Sequence, residues 1–245
     1  MCTLAAKKLD GSWHLIKTRD PVPWMRLNDE IKLFKTKSDK YKKLIIQNPD
    51  PKEDGYYGGI NEKGIAIVAT FLPIAENQVS FIRRPYIRLI LEASTANEAV
   101  EIIKSFNPRI GGNFFVADEK ECYEIEGAPK EYSIRKIDEP TAKTNHFLHL
   151  PYENLQMKDP WFANWTQDRL KRAQILIKKA SNLEDLKNIL KDRENSEKST
   201  AICMLESDSG DNPPTYSAFI FDTGNKVTYY CQGNPTEKPF KKYSF

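Results

Sequence analysis

The chain lacks any run near the roughly 18 to 20 uninterrupted apolar residues that a bilayer-spanning helix requires, so no membrane span is expected. It also lacks the charged, apolar and small-residue segments of a secretory leader. The first eight residues read Met1-Cys2-Thr3-Leu4-Ala5-Ala6-Lys7-Lys8 and pass straight into a strand pattern. A cytoplasmic protein is the expectation. Cysteine is scarce: four residues, with no C-x-x-C pair and no regular spacing, which excludes a disulfide scaffold and a zinc ribbon. Free thiols are expected, and neither a metal nor another cofactor is called for. An excess of one charge is missing as well. The 37 basic and 34 acidic residues leave a formal net charge of +3, which gives no reason to expect a nucleic-acid partner. The densest basic run, Lys32 to Lys43, is broken by Asp39 and interleaved only by Phe34 and Tyr41. It reads as a solvated face. Histidine is nearly absent, and His14, His146 and His149 offer no recognised Cys–His dyad spacing.

What is present suffices for one sizeable core. At 245 residues with 40% hydrophobic and 11% aromatic content, a single domain over 1–245 is expected. Leu4 to Lys8 and Trp13 to Lys17 flank Asp10-Gly11, a hairpin signal that starts Cys2 at the edge of a sheet. Leu44 to Gln47 predicts a strand, and Gly55 to Ala69 predicts a second hairpin turning at Asn61-Glu62-Lys63-Gly64. Thr95-Ala96-Asn97-Glu98 is a capping box before an apolar stripe at Ala99, Val100, Ile102, Ile103 and Phe106. A three-strand meander follows at 112–117, 122–126 and 132–137. Two more helices are predicted to begin at Thr166 and Asn182, and strands return at 201–205, 216–221 and 227–231. Hairpins and meanders with helices in consecutive pairs predict an α+β fold of antiparallel sheets with segregated helices.

Chemistry concentrates at the second residue. A thiol is a poor nucleophile near neutral pH, with an ordinary pKa of about 8.5, unless a base or cation raises its thiolate fraction. If Met1 is removed, Cys2 carries its own base, an α-amino group of pKa roughly 7.7 to 8.0. No histidine partner is then needed. Lys17-Thr18-Arg19-Asp20, at the end of the paired strand, sets two cations beside a carboxylate that could hold the ammonium or a water.

Taken in order, Met1-Cys2-Thr3, Lys17-Thr18-Arg19-Asp20, Gly59-Ile60-Asn61-Glu62-Lys63-Gly64-Ile65-Ala66 and Thr144-Asn145-His146-Phe147 resemble the choloylglycine hydrolases and the acyl-coenzyme A:6-aminopenicillanic-acid acyltransferases, both N-terminal nucleophile (Ntn) hydrolases. The similarity spans nearly the whole chain, through Gly111-Gly112-Asn113-Phe114 and the ending Tyr230-Cys231-Gln232-Gly233-Asn234-Pro235. The resemblance implies a four-layer αββα sandwich with Cys2 at the end of an inner strand. It implies Cys2 as nucleophile, Asp20 as holder of its amino group and Asn145 as the amide facing the oxyanion. Supporting or substrate-binding positions would be Lys17, Arg19, Asn61, Phe71 and His146. Three departures stand out: Lys17 replaces the usual arginine three residues before the aspartate, Phe71 falls where choloylglycine hydrolases place a second oxyanion asparagine, and the stretch Pro213 to Ser217 holds no counterpart of the family's C-terminal arginine.

The implied activity is cleavage of a linear, non-peptide C–N amide bond in a small-molecule substrate through a Cys2 thioester. Transfer of the acyl group to another amine is the near alternative, and a non-catalytic ligand-binding protein on the same fold is the distant one. Cys122, Cys203 and Cys231 read as buried packing residues in strands. The aromatic stretch from Pro151 to Trp165 reads as a loop that walls an acyl pocket or lids the core. A homo-oligomer is left open.

Overall fold

A computed structural model describes residues 2–21, 29–49, 55–70, 72, 83–106, 111–128, 131–151, 159–209 and 214–245, with the side chains of 83–85, 161, 208 and 209 left aside. Phe71, and Tyr152 and Met157 of the aromatic stretch, lie outside the described residues.

The opening hairpin forms as its turn demands. Strands β1 (Leu4–Leu9) and β2 (Ser12–Arg19) meet at Asp10 (φ 50°) and Gly11 (φ 83°), the paired positive φ angles of a two-residue hairpin turn. The expectation that Cys2 begins a sheet edge is corrected: β1 is flanked on its other side by β10 (Thr141–Lys143). The remaining strands are β3 (Glu30–Phe34), β4 (Lys43–Gln47), β5 (Tyr56–Asn61), β6 (Ala66–Thr70), β7 (Gly112–Ala117), β8 (Cys122–Gly127), β9 (Tyr132–Ile137), β11 (Ser217–Asp222), β12 (Val227–Gln232) and β13 (Lys241–Tyr243). One sheet runs β10-β1-β2-β11-β12-β13 and the other β3-β4-β5-β6-β7-β8-β9. Every pairing is antiparallel.

Strand alternation divides the apolar residues into three layers of contact. Leu4, Ala6, Trp13, Leu15, Val68, Phe115 and Phe219 form the core between the two sheets. The outer face of the seven-stranded sheet packs Ile67 and Val116 against helices α1 (Arg83–Ile90) and α2 (Ala96–Ser105). The outer face of the six-stranded sheet packs Ala5, Ile16 and Ile220 against helices α3 (Pro160–Lys179) and α4 (Leu183–Leu190). The result is the helix–sheet–sheet–helix order that the resemblance implied.

The helix caps follow the sequence signals. Thr95 Oγ1 accepts from the Glu98 amide at 3.1 Å, and Asn182 Oδ1 accepts from the Asp185 amide at 3.0 Å. The Glu98 carboxylate reaches back one residue further than a capping box requires, to Ser94 N at 2.7 Å. Helix α3 starts at Pro160 rather than Thr166, because proline suits the first helical position, where no N–H is needed. The 160–165 part of the predicted loop is therefore helical, and it buries Phe162 and Trp165. Residues 201–205 form no strand; Cys203 N and Met204 N bond Asp192 O and Thr215 Oγ1 singly, without a ladder. Strand β3 overlaps the start of the basic run, where Lys32 and Leu33 stay exposed on a sheet edge, but the run is not a solvated face throughout: Lys43 at its end is buried in β4 and pairs with Asp39 and Glu92.

Candidate active site

The period of two that sends Trp13 and Leu15 between the sheets sends Lys17 and Arg19 there too, one and two steps further along β2. Both are buried. Lys17 Nζ crosses to the facing sheet and donates to Tyr57 O at 3.0 Å and Ala69 O at 2.6 Å. Arg19 stacks on the Tyr57 ring, 3.9 Å from guanidinium carbon to centroid, and its Nε lies 3.2 Å from Asp29 Oδ2. A cation on a compact stem suits two carbonyls, whereas the planar fork suits a ring and a carboxylate.

Cys2 sits at this end of the sheets, 6% exposed. The register is fixed by Thr18 N donating to Thr3 O and Thr3 N donating to Thr18 Oγ1, each at 3.0 Å. Burial pushes the Cys2 thiol up, but Lys17, the positive chain terminus and the backbone N–H of Asp20 outweigh it against the opposing Asp20 carboxylate, and the net shift is downward. Cys2 N, here still a peptide nitrogen standing where an α-amine would be after loss of Met1, donates to Asn145 Oδ1 at 3.0 Å.

Asn145 leaves β10 two residues past Lys143, and its side chain faces partners on both sides. Oδ1 also accepts from Arg169 Nη2 at 2.9 Å, while Nδ2 donates to Thr70 Oγ1 at 2.8 Å. Guanidinium only donates, so the oxygen must face Arg169 and the nitrogen the far side. Arg169 Nη1 meets Asp20 Oδ2 at 3.2 Å, and Thr215 Oγ1 donates to Asp20 Oδ1 at 2.8 Å. Burial raises the Asp20 pKa against the pull of Arg169. Burial also draws the Arg169 guanidinium down to about 10, which keeps it charged at neutral pH.

Arg169 is the residue that sequence reasoning missed. It stands at the position of an apolar residue in helix α3, on the stripe of Thr166, Leu170, Ala173 and Ile177, and is fully buried over the Trp165 ring at 3.8 Å. An arginine on the core-facing stripe of an amphipathic helix is the signal that could have found it.

The structure thus brings together Cys2, Lys17, Asp20 and Asn145, with Arg19 one step further along β2. Two of the supporting positions expected from the sequence, Asn61 and His146, turn elsewhere. Asn61 closes the β5–β6 turn: its Nδ2 donates to Leu91 O and Ala93 O, and its Oδ1 accepts from Lys63 N and Ile65 N. Next in that turn, Gly64 (φ 89°) leaves no room for a Cβ beneath Thr223 O. His146 meets Thr166 Oγ1 at 2.9 Å, and burial brings its pKa down to about 4, which leaves it neutral. Among the described residues, Glu124, Glu126 and His149 have donor atoms close enough to share a metal ion. The Lys143 ammonium already stands between the two carboxylates, 2.6 Å and 2.5 Å away, so the cluster is an internal ion pair.

The sequence matches the acyl-coenzyme A:6-aminopenicillanic acid acyl-transferase family over residues 10–237. The chain belongs to that family. It is accordingly an Ntn-hydrolase-superfamily protein. No curated protein sequence matches it. Among solved structures, it is similar to penicillin V acylase from Agrobacterium tumefaciens, at 14% identity over 95% of this chain and 83% of that one (TM-score 0.52). A variant of conjugated bile acid hydrolase from Clostridium perfringens aligns at 13% identity over 100% and 97% (TM-score 0.58). The Caenorhabditis elegans ortholog of N-acylethanolamine-hydrolyzing acid amidase aligns at 11% identity over 89% and 92% (TM-score 0.54). At such identities the likeness is one of fold. No described helix is long and apolar enough to cross a membrane.

Proposed function

We propose that the protein, as a single domain, cleaves a linear non-peptide amide of a small molecule through a thioester on Cys2, once Met1 has been removed. The observation that carries this reading is the Cys2 thiol, buried yet shifted downward in pKa, with its own nitrogen 3.0 Å from the Asn145 amide. Cys2 Sγ attacks the carbonyl, and its α-amine takes the thiol proton and delivers it to the leaving amine. Arg169 turns Asn145 so that Nδ2 serves the oxyanion. Lys17 holds the thiolate by its charge, and Asp20 with Arg169 keeps the amine end electrically balanced. With Phe71 where relatives carry an asparagine, a backbone N–H supplies the second oxyanion donor. Water then releases the acid.

Acyl transfer is the second reading, and the family match favours it. An amine that reaches the thioester before water would receive the acyl group. Intact mass before and after brief, limiting iodoacetamide at several pH values, with peptide mapping, tests the common core of both readings. Loss of Met1 and fastest labelling at Cys2, with an apparent pKa below that of an ordinary thiol, is the expected result. Retained Met1, or labelling at Cys2 no faster than at Cys122, Cys203 and Cys231, would remove the catalytic reading and favour a ligand-binding protein.

A further inference from the structure

Asn113 is the second residue of strand β7 and lies directly across from Glu126 of β8 in the register. Both project between the sheets, on the face that carries Phe115 and Cys122. Asn113 Nδ2 donates to two carbonyls, Thr144 O at 2.8 Å and His146 O at 3.0 Å, which are the backbone oxygens on either side of Asn145. Because both partners can only accept, the amide nitrogen must face them, and Asn113 Oδ1 is left buried with no hydrogen-bond partner. Glu126 holds the same loop from its two ends. It pairs with Lys143, two residues before Asn145, and its two oxygens accept the successive N–H groups of 148–150 at 2.7 to 3.0 Å.

Neither side chain is seen to touch Cys2, Asp20 or Arg169, and neither belongs to the proposed reacting set. Yet between them they hold the backbone on either side of Asn145. A buried amide that leaves its own oxygen unpaired in order to clamp two carbonyls is poorly accounted for by stability alone, since an unmet acceptor is destabilising. We infer that Asn113 and Glu126 form a cross-strand cradle that positions the Asn145 amide for the oxyanion, which makes Asn113 a positioning residue of the reaction. The inference rests on the amide-cleaving reading above.

Acylation and alkylation of Cys2 separate this role from a merely structural one. With p-nitrophenyl acetate, the thiolate attacks the ester carbonyl, the new C–S bond forms through an oxyanion, and the C–O bond breaks to release p-nitrophenolate. With iodoacetamide, the thiolate displaces iodide and no oxyanion forms. Asn113→Ala and Asn113→Asp are expected to slow acylation about 10- to 100-fold, the scale of a misplaced oxyanion donor, while alkylation keeps its rate. Glu126→Gln, on the facing strand, is expected to give the same split and serves if the Asn113 variants fail to fold. Equal acylation in the variants and the unaltered protein would overturn the inference, and so would a parallel fall in both reactions. If the unaltered protein alkylates at Cys2 but never acylates, the amide-cleaving reading fails first and takes the cradle with it.

Discussion

Cys2 and Cys122 lie in the same core between the two sheets, 6% and 0% exposed, yet their thiols move in opposite directions. Burial opposes the thiolate at both. At Cys122 the neighbouring charges, Glu124 and Asp118, add to it and the pKa rises well above the ordinary value. At Cys2 the field of Lys17 and the chain terminus reverses it. Burial also pushes Cys203 up to about 12, with Asp20 adding to it, and Cys231 up to about 11 against the opposing pull of Lys191 and Lys238. Burial raises all four thiols, and only at Cys2 do the neighbouring charges outweigh it. Lys17, threaded into an apolar row of β2, and the charged chain terminus are what set the Cys2 thiol apart from the Cys122 thiol.

The largest break in this comparison is removal of the thiol itself. Cys2→Ala should abolish acylation by activated esters, a loss on the order of 10⁴- to 10⁶-fold if Cys2 is the nucleophile. Cys122→Ala should leave the rate where it was and cost only stability. Ester turnover with intact-mass detection of the adduct reads both, and an adduct on Cys2→Ala protein would refute the assignment.

Next in size is Arg169→Met. It frees the Asn145 amide to flip and leaves the Asp20 carboxylate without its ion-pair partner. Acylation should fall about 10²- to 10³-fold, and breaking a buried pair from one side should destabilise by roughly 3–5 kcal/mol. Arg169→Lys should recover less than full activity, because a point charge cannot bridge Asp20 and Asn145 as the guanidinium fork does. Equal acylation by Arg169→Met and unaltered protein would remove Arg169 from the site.

Lys17→Met sharpens the comparison more gently, by making Cys2 resemble Cys122. The Cys2 pKa should rise, so alkylation slows at neutral pH and recovers at high pH; each unit of rise lowers the thiolate population about tenfold. The pH profile of iodoacetamide labelling measures this. An unmoved profile would show that Lys17 serves only the carbonyls of Tyr57 and Ala69.

The sequence made the layers legible because period-two and period-3.6 apolar patterns reflect burial directly, as at Trp13 and Leu15 or at Val100 and Ile103. It singled out Cys2, Asp20 and Asn145 as candidates through short motifs in order, and the structure brings the three together. It did not single out Arg169, because a charge on a helix is ordinarily read as solvent-facing even where, as here, it falls on the apolar stripe. Nor did it reveal that Asn61 and Asn113 play different parts. Both use the side-chain amide to clamp carbonyls two residues apart, Leu91 and Ala93 in one case, Thr144 and His146 in the other. Only pairing between distant strands tells which asparagine stands behind the site. Thr166 taught the same lesson: a hydroxyl that looked like a helix start instead holds the Asn145 N–H at 2.9 Å from within α3.

The smallest expected effect concerns stability rather than rate. His146 is buried against Thr144 and Thr166, its pKa brought down to about 4 by burial with Lys143 and Arg169 adding to the shift. In the unfolded chain the same imidazole titrates near 6.5. Between these values the unfolded state holds the extra proton, so folding stability rises with pH through this window and is lost as pH falls from about 6.5 toward 4. Asp29, raised to about 6 mainly by burial, works the other way. Its folded form binds the proton that the unfolded form releases near 4, so its contribution grows as pH falls over much of the same range. His146→Gln should therefore flatten the loss of thermal stability on acidification, by at most about 3 kcal/mol at pH 4, whereas Asp29→Asn should steepen it. If His146→Gln leaves the slope of Tm against pH unchanged, the imidazole is not held neutral.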